Sequence, residues 1–194
     1  VVRGKKDLVV IILVILIIGL VSAAYADDIK IACLGNSITS HKGSYPSNID
    51  PNSYPVQLRI LMGEGYDIMN FGVSGRTLLK NGDYPIWDEL AFSDALAFEP
   101  DIVTIMLGTN DSKPQNWIYK EEYIPDYIAM IDTFRTLPSN PEIYTCLPPP
   151  AFSSKYDISD SVIVNDILPM IQQVADEKNT TIIDGTGSKR FEGD

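Results

Sequence analysis

Apolar and polar positions divide the chain into two unlike parts. Leu8 to Val21 is almost wholly apolar, follows the basic residues Arg3, Lys5 and Lys6, and gives way to Ala24-Tyr25-Ala26 before Asp27 and Asp28. A basic start, an apolar middle and small residues in an A-x-A arrangement are the layout of a secretory signal peptide, here residues 1–26 with cleavage after Ala26. Leu8 to Ala26 also approaches the roughly 20 residues that a spanning helix needs, so an N-terminal membrane anchor is the alternative. Both readings put residues 27–194 outside the cytoplasm, secreted or periplasmic, or anchored there.

From Ile29 onward, short apolar runs alternate with longer segments of helical spacing. Ile29–Leu34, Tyr66–Phe71, Asp101–Leu107, Glu142–Leu147 and Thr181–Asp184 read as five strands. Between them Ser53–Met62 reads as a helix with Ser53 at its N-cap and Pro55 in its first turn. Ser93–Phe98 reads as a short helix. Tyr123, Tyr127, Ile131 and Phe134 recur on one helical face. Asp160–Glu177 reads as a last helix, interrupted or kinked near Pro169. Strands apolar on both faces and separated by helices predict a parallel sheet covered on both sides. The expected architecture is therefore a single three-layer α/β/α domain over residues 27–194.

Composition narrows the function. The formal net charge is −11 and the leader holds basic residues, so the rest is more acidic still. Such a surface argues against nucleic acid and anionic membrane as partners. Two cysteines and one histidine, without C-x-x-C or H-E-x-x-H, give no disulfide scaffold and no metal site, and no cofactor is expected. Cys33 and Cys146 fall on the first and fourth strands. Two strand spacings are about 10 Å, beyond the roughly 7 Å a disulfide spans, so both thiols are expected free and buried.

Three polar clusters follow the first three strands: Gly35-Asn36-Ser37-Ile38-Thr39, Asn70-Phe71-Gly72-Val73-Ser74-Gly75-Arg76-Thr77, and Gly108-Thr109-Asn110-Asp111. Parallel strands share one carboxyl edge, where open α/β sheets bind ligands. The clusters therefore converge, and Ser37 and Asn110 become site candidates. A serine on a tight turn can attack an ester carbonyl. The oxyanion that forms needs preorganised donors. The Ser37 N–H, a glycine N–H and an asparagine amide would supply three.

The same clusters resemble, in order and strand context, the first three blocks of the SGNH (GDSL-type) hydrolase family, and within it carbohydrate-active, sialate O-acetylesterase-like members. The resemblance spans roughly Ile29 to Asp184. It implies Ser37 as nucleophile, Gly75 as an oxyanion N–H and Asn110 as the side-chain donor. It also implies a flavodoxin-like, five-stranded sheet of order 2-1-3-4-5. Asn36 stands where the family usually has Asp, and a local structural role is expected for it. The family's fourth block, D-x-x-H, does not occur in these 194 residues. Asp194 is the tentative triad Asp, with the histidine three residues further on. The domain is thus expected to be C-terminally incomplete and, by itself, inactive.

Other residues have plainer expectations. His41, the single histidine, is expected as a loop residue near the pocket mouth rather than as base. Asp111 is expected to fix its own loop, and Gly72 to answer a turn requirement. Gln115, Asn116 and Trp117 form a candidate carbohydrate rim, since indole faces stack on sugar rings and amides bond hydroxyls. The expected activity is serine hydrolysis of carboxylic esters, O-acetyl groups on carbohydrate foremost, through an acyl-enzyme on Ser37. The alternative is a non-catalytic carbohydrate-binding protein on the same scaffold. A flavodoxin-like nucleotide binder is a weaker rival, because no G-x-G-x-x-G or P-loop is present.

Overall fold

The structure, a computed structural model, describes residues 27–43, 45–47, 49–151 and 155–185. The predicted leader, residues 1–26, and Asp194 lie outside them. Strands β1 (Ile29–Gly35), β2 (Tyr66–Gly72), β3 (Ile102–Met106), β4 (Glu142–Leu147) and β5 (Thr181–Asp184) form one parallel sheet in the order β2-β1-β3-β4-β5. This is the expected topology. Gly35 lies level with Gly72 on one side and Met106 on the other, so the three polar clusters leave the sheet side by side.

The helices are α1 (Ser37–Ser40), α2 (Tyr54–Met62), α3 (Leu90–Ala97), α4 (Pro114–Trp117), α5 (Tyr123–Arg135), α6 (Asp160–Val162) and α7 (Leu168–Lys178). α5 follows the predicted spacing closely. Tyr123, Tyr127, Ile131 and Phe134 are all fully buried, and Arg135 in its last turn opposes the negative end of the helix dipole. α3 begins three residues before the predicted start. At α2, Ser53 holds the N-cap position but does not cap with its side chain. Its hydroxyl turns back and donates to the Asp50 carbonyl at 2.8 Å.

The last helix is interrupted just before Pro169, as expected, by one wider turn. Ile163–Ile167 is π-helical, and the Leu168 N–H donates to the Ile163 carbonyl. Proline has no N–H and crowds the carbonyl four residues back. A wider turn ahead of Pro169 absorbs both demands and lets α7 continue.

The two faces of the sheet are unequal. Ala32, Leu34, Phe71, Val103, Ile105 and Ile143 pack into the main core with α3, α5 and α7. On the other face Ile31, Cys33 and Ile68 pack against Tyr54 and Leu58 of α2. Beside α2 an apolar depression of about 380 Å³ runs over Thr104, Met106, Cys146 and Ile183. Cys33 and Cys146 are both free and buried, and β3 separates their strands as predicted.

Burial raises the Cys33 thiol to about 11 and the Cys146 thiol to about 12. Neither thiolate is populated near neutral pH. A disulfide-exchange dye at pH 8 is therefore expected to leave both thiols unlabelled in the folded protein and to label both after denaturation, read by intact mass. Rapid native labelling, or a recovered disulfide, would contradict this packing.

Candidate active site

Ser37 opens α1, two residues beyond the end of β1, and is half-buried. Asn36 shapes that turn. It is fully buried, its Oδ1 accepts from the Ile38 N–H at 2.9 Å, and its carbonyl accepts from Ser40 N at 2.9 Å. An N-cap needs only a short acceptor side chain, which Asn provides as well as Asp. The turn then sits directly on β2. A Cβ at Gly72 would lie 2.4 Å from Ser40 N. Gly72 is thus not a turn residue, as the sequence suggested, but a strand residue whose bare Cα lets the nucleophile's turn approach.

His41 N closes the turn on the Ser37 carbonyl at 2.8 Å. The His41 Nδ1 lies 3.0 Å from Asp50 Oδ2 at the surface. The Asp50 carboxyl is held down at about 2, first by the Asn52 N–H and then by His41. His41 therefore staples the loop that follows α1.

Gly75 follows β2 by three residues and has φ +83°, a left-handed conformation that glycine adopts without strain. Asn110, four residues past β3, is 4% exposed. Its Nδ2 donates to the Arg76 carbonyl at 3.0 Å. A carboxamide nitrogen has two hydrogens, and this bond to the second loop uses one of them. β1 lies between β2 and β3, which sets the turn of Ser37 between the loops of Gly75 and Asn110. A depression of about 340 Å³ adjoins the Gly75 turn, lined by Tyr45, Val73, Ser74, Arg76, Glu89 and Leu90.

Of the predicted rim residues, Asn116 is spent inside the protein while Gln115 and part of Trp117 stay accessible. Asn116 is fully buried. Its Nδ2 donates to the Asn110 carbonyl at 2.8 Å and to Asp83 Oδ1 at 3.0 Å, and its Oδ1 accepts from Asp83 N at 2.8 Å. Trp117 is half-buried, its Nε1 donates to Asp166 at 3.1 Å, and its ring meets Tyr123 edge-on at 5.7 Å. Gln115 is exposed and reaches Asp83 at 3.3 Å. The segment after Thr77 explains this use of amides. It has neither a strand nor a helix to receive its N–H groups, so side chains do so: Asp111 accepts from Leu79 N, Asp126 from Lys80 N and Asn116 from Asp83 N, each at 2.8 Å.

Sequence reasoning assigned no role to Arg76, Glu89 or Asp83. Arg76 stood inside the quoted second block, yet nothing marked its side chain. Glu89 and Asp83 carry no local signal, since their partners lie 13 and 33 residues away. Among the described residues no group of three His, Cys, Asp or Glu side chains is placed to hold a metal ion.

A parallel 2-1-3-4-5 sheet whose first three loops close together at its carboxyl edge defines an SGNH-type α/β domain. Residues 33–193 match the GDSL-like Lipase/Acylhydrolase family, and the chain belongs to it. An acetylxylan esterase of Xylanibacter ruminicola is 42% identical over 184 residues, covering 84% of this chain. The chain spans 37% of that protein's length. Among solved structures, a carbohydrate acetylesterase from Sinorhizobium meliloti superposes with a TM-score of 0.63 at 19% identity, covering 80% of this chain and 83% of that one. A catalytic mutant of an acetylxylan esterase from Geobacillus stearothermophilus gives 0.60 at 22% identity, covering 83% and 78%. At these identities the two structures attest the fold.

Asp111 fixes its loop as expected, at a cost that pH reveals. It is fully buried, and burial raises its carboxyl from 3.8 to about 6. Between those values the folded state holds a proton that the unfolded chain has released, so stability falls as pH rises from about 4 to about 6. The loss is on the order of 3 kcal/mol. Asp111→Asn keeps an acceptor for Leu79 N and removes the titration. Urea melts at pH 4 and pH 7 are expected to show the variant gaining on the wild type at pH 7. The same difference at both values would refute the buried carboxylate.

Proposed function

We propose that this chain supplies the nucleophile and oxyanion hole of a serine esterase that removes acyl groups, acetyl among them, from carbohydrate. The observation that carries the reading is the Asn110 amide bonded to the Arg76 carbonyl, which holds one donor beside the Gly75 turn. Ser37 Oγ attacks the ester carbonyl as a base takes its proton. Charge gathers on the carbonyl oxygen, which the N–H groups of Ser37 and Gly75 and the other Asn110 amide hydrogen receive. The proton then passes to the departing sugar oxygen, leaving the acyl group on Ser37. Water attacks by the same route, and the acid and free serine are restored. The base is assigned to the histidine of a D-x-x-H segment, which these 194 residues do not include.

The 42% identical acetylxylan esterase supports acetyl as the acyl group and a xylan-like glycan as the alcohol. A polymeric glycan stays outside the cell, which agrees with a leader over residues 1–26. N-terminal sequencing of the exported protein is expected to begin at Asp27. The binding-protein alternative loses one of its contacts, because Asn116 is buried and its amide is engaged internally.

The test is hydrolysis of p-nitrophenyl acetate and acetylated xylan by the full gene product. Ser37→Ala is expected to abolish turnover. Asn110→Ala is expected to lower kcat about 10²–10³-fold with KM changed little, since the donor acts chiefly on developing charge. Residues 27–194 alone are expected to be nearly inactive, because a serine hydroxyl without its base is a weak nucleophile. Full activity in Ser37→Ala would end the proposal.

A further inference from the structure

We propose that Arg76, braced by Glu89, is the positioning residue of the oxyanion hole; this rests on the esterase reading above. Gly75 has to present its N–H in one direction, yet glycine is the residue least able to hold a direction by itself. On the side where a Cβ would stand, nothing lies within 4 Å to steady it. The neighbouring residue does so instead. Arg76 Nη1 donates to the Ser74 carbonyl at 2.7 Å, reaching back across Gly75. Its Nε donates to Glu89 Oε1 at 2.7 Å, and Nη2 lies 2.6 Å from the same oxygen. The Arg76 main-chain carbonyl accepts the Asn110 amide at 3.0 Å. One residue thus fixes the peptide before Gly75 with its side chain and the Asn110 amide with its backbone.

The brace has a firm footing. Glu89 immediately precedes α3, whose Ala91, Phe92 and Ala95 are in the main core. On the other side of Arg76, Thr77 N donates to the Tyr84 carbonyl and Ile86 N to the Thr77 carbonyl, both at 3.0 Å. The guanidinium also lies 5.5 Å from the Tyr84 ring centre. A planar fork making several fixed contacts is a task for arginine that lysine performs only in part. Arg76 and Glu89 also line the depression beside Gly75, so a direct contact with substrate is the competing explanation. Kinetics separate the two. A positioning residue acts on the transition state and lowers kcat, whereas a uniform substrate contact raises KM.

The experiment uses the full gene product with p-nitrophenyl acetate and acetylated xylan. Arg76→Ala is expected to lower kcat about 10- to 100-fold with KM within about threefold, a part of what losing an oxyanion donor costs. Arg76→Lys should recover part of the loss. Glu89→Gln, which keeps size and fold, should lower kcat in the same sense, and the double variant Arg76→Ala/Glu89→Gln should be no worse than Arg76→Ala. A raised KM at unchanged kcat, or no change in either, overturns the proposal. A second readout needs no turnover. With ¹⁵N-labelled glycine and asparagine, Glu89→Gln should displace the Gly75 amide and Asn110 side-chain resonances, and unmoved resonances also overturn it. If the wild type fails to cleave acetyl esters, the esterase reading falls alone, and the resonances still decide whether Arg76 holds these two donors.

Discussion

The hydrogen bond from the Asn110 amide to the Arg76 carbonyl gives the rim a definite shape. A parallel sheet delivers its loops to one edge, but it leaves their N–H and C=O groups without the ladder that satisfied them inside the strands. Each such group, if buried and unpaired, costs about 1–3 kcal/mol. The rim is built by meeting those demands from neighbouring loops. Asn110 binds the second loop, Asn116 binds Asn110 from behind, and Asp111 reaches the Leu79 N–H. The candidate oxyanion donors are therefore by-products of how three loops saturate one another.

The sheet beneath supplies level ends and little else. Gly35, Gly72 and Met106 stand in register, and Gly72 lets α1 settle onto the sheet. The main core, on the face covered by α3, α5 and α7, fixes the strands; the opposite face, packed on α2, is thinner. Rigidity is thus concentrated on one side, and Glu89 and Asp126 both reach the rim from that side.

What the sequence disclosed and what it withheld follow from the range of the interactions. Ser37, Gly75 and Asn110 were legible because each lies in a contiguous cluster directly after a strand. The buried stripe of α5 was legible because Tyr123, Tyr127, Ile131 and Phe134 repeat at helical spacing. Asn116 was misread as rim because an amide looks alike whether it faces a sugar or Asp83, and the deciding partner is 33 residues away. Gly72 was misread because its demand comes from the Ser40 N in α1, on the neighbouring strand's turn and far away in sequence. Even Ser53 sat where predicted while its hydroxyl served Asp50 instead. The position of an element is a local property, whereas the partner of a polar group is not.

The stitched segment between Thr77 and Ile86 has a consequence for how this protein tolerates change. It is irregular and partly at the surface, the kind of stretch in which substitutions usually accumulate freely. Yet Leu79, Lys80 and Asp83 each give their N–H to a side chain from a different part of the chain. Proline is therefore excluded at those three positions, since it has no N–H to give. An inserted residue between any two of them would break the match with all later anchors. In its appearance the segment is a loop, but in the substitutions it admits it belongs with the interior.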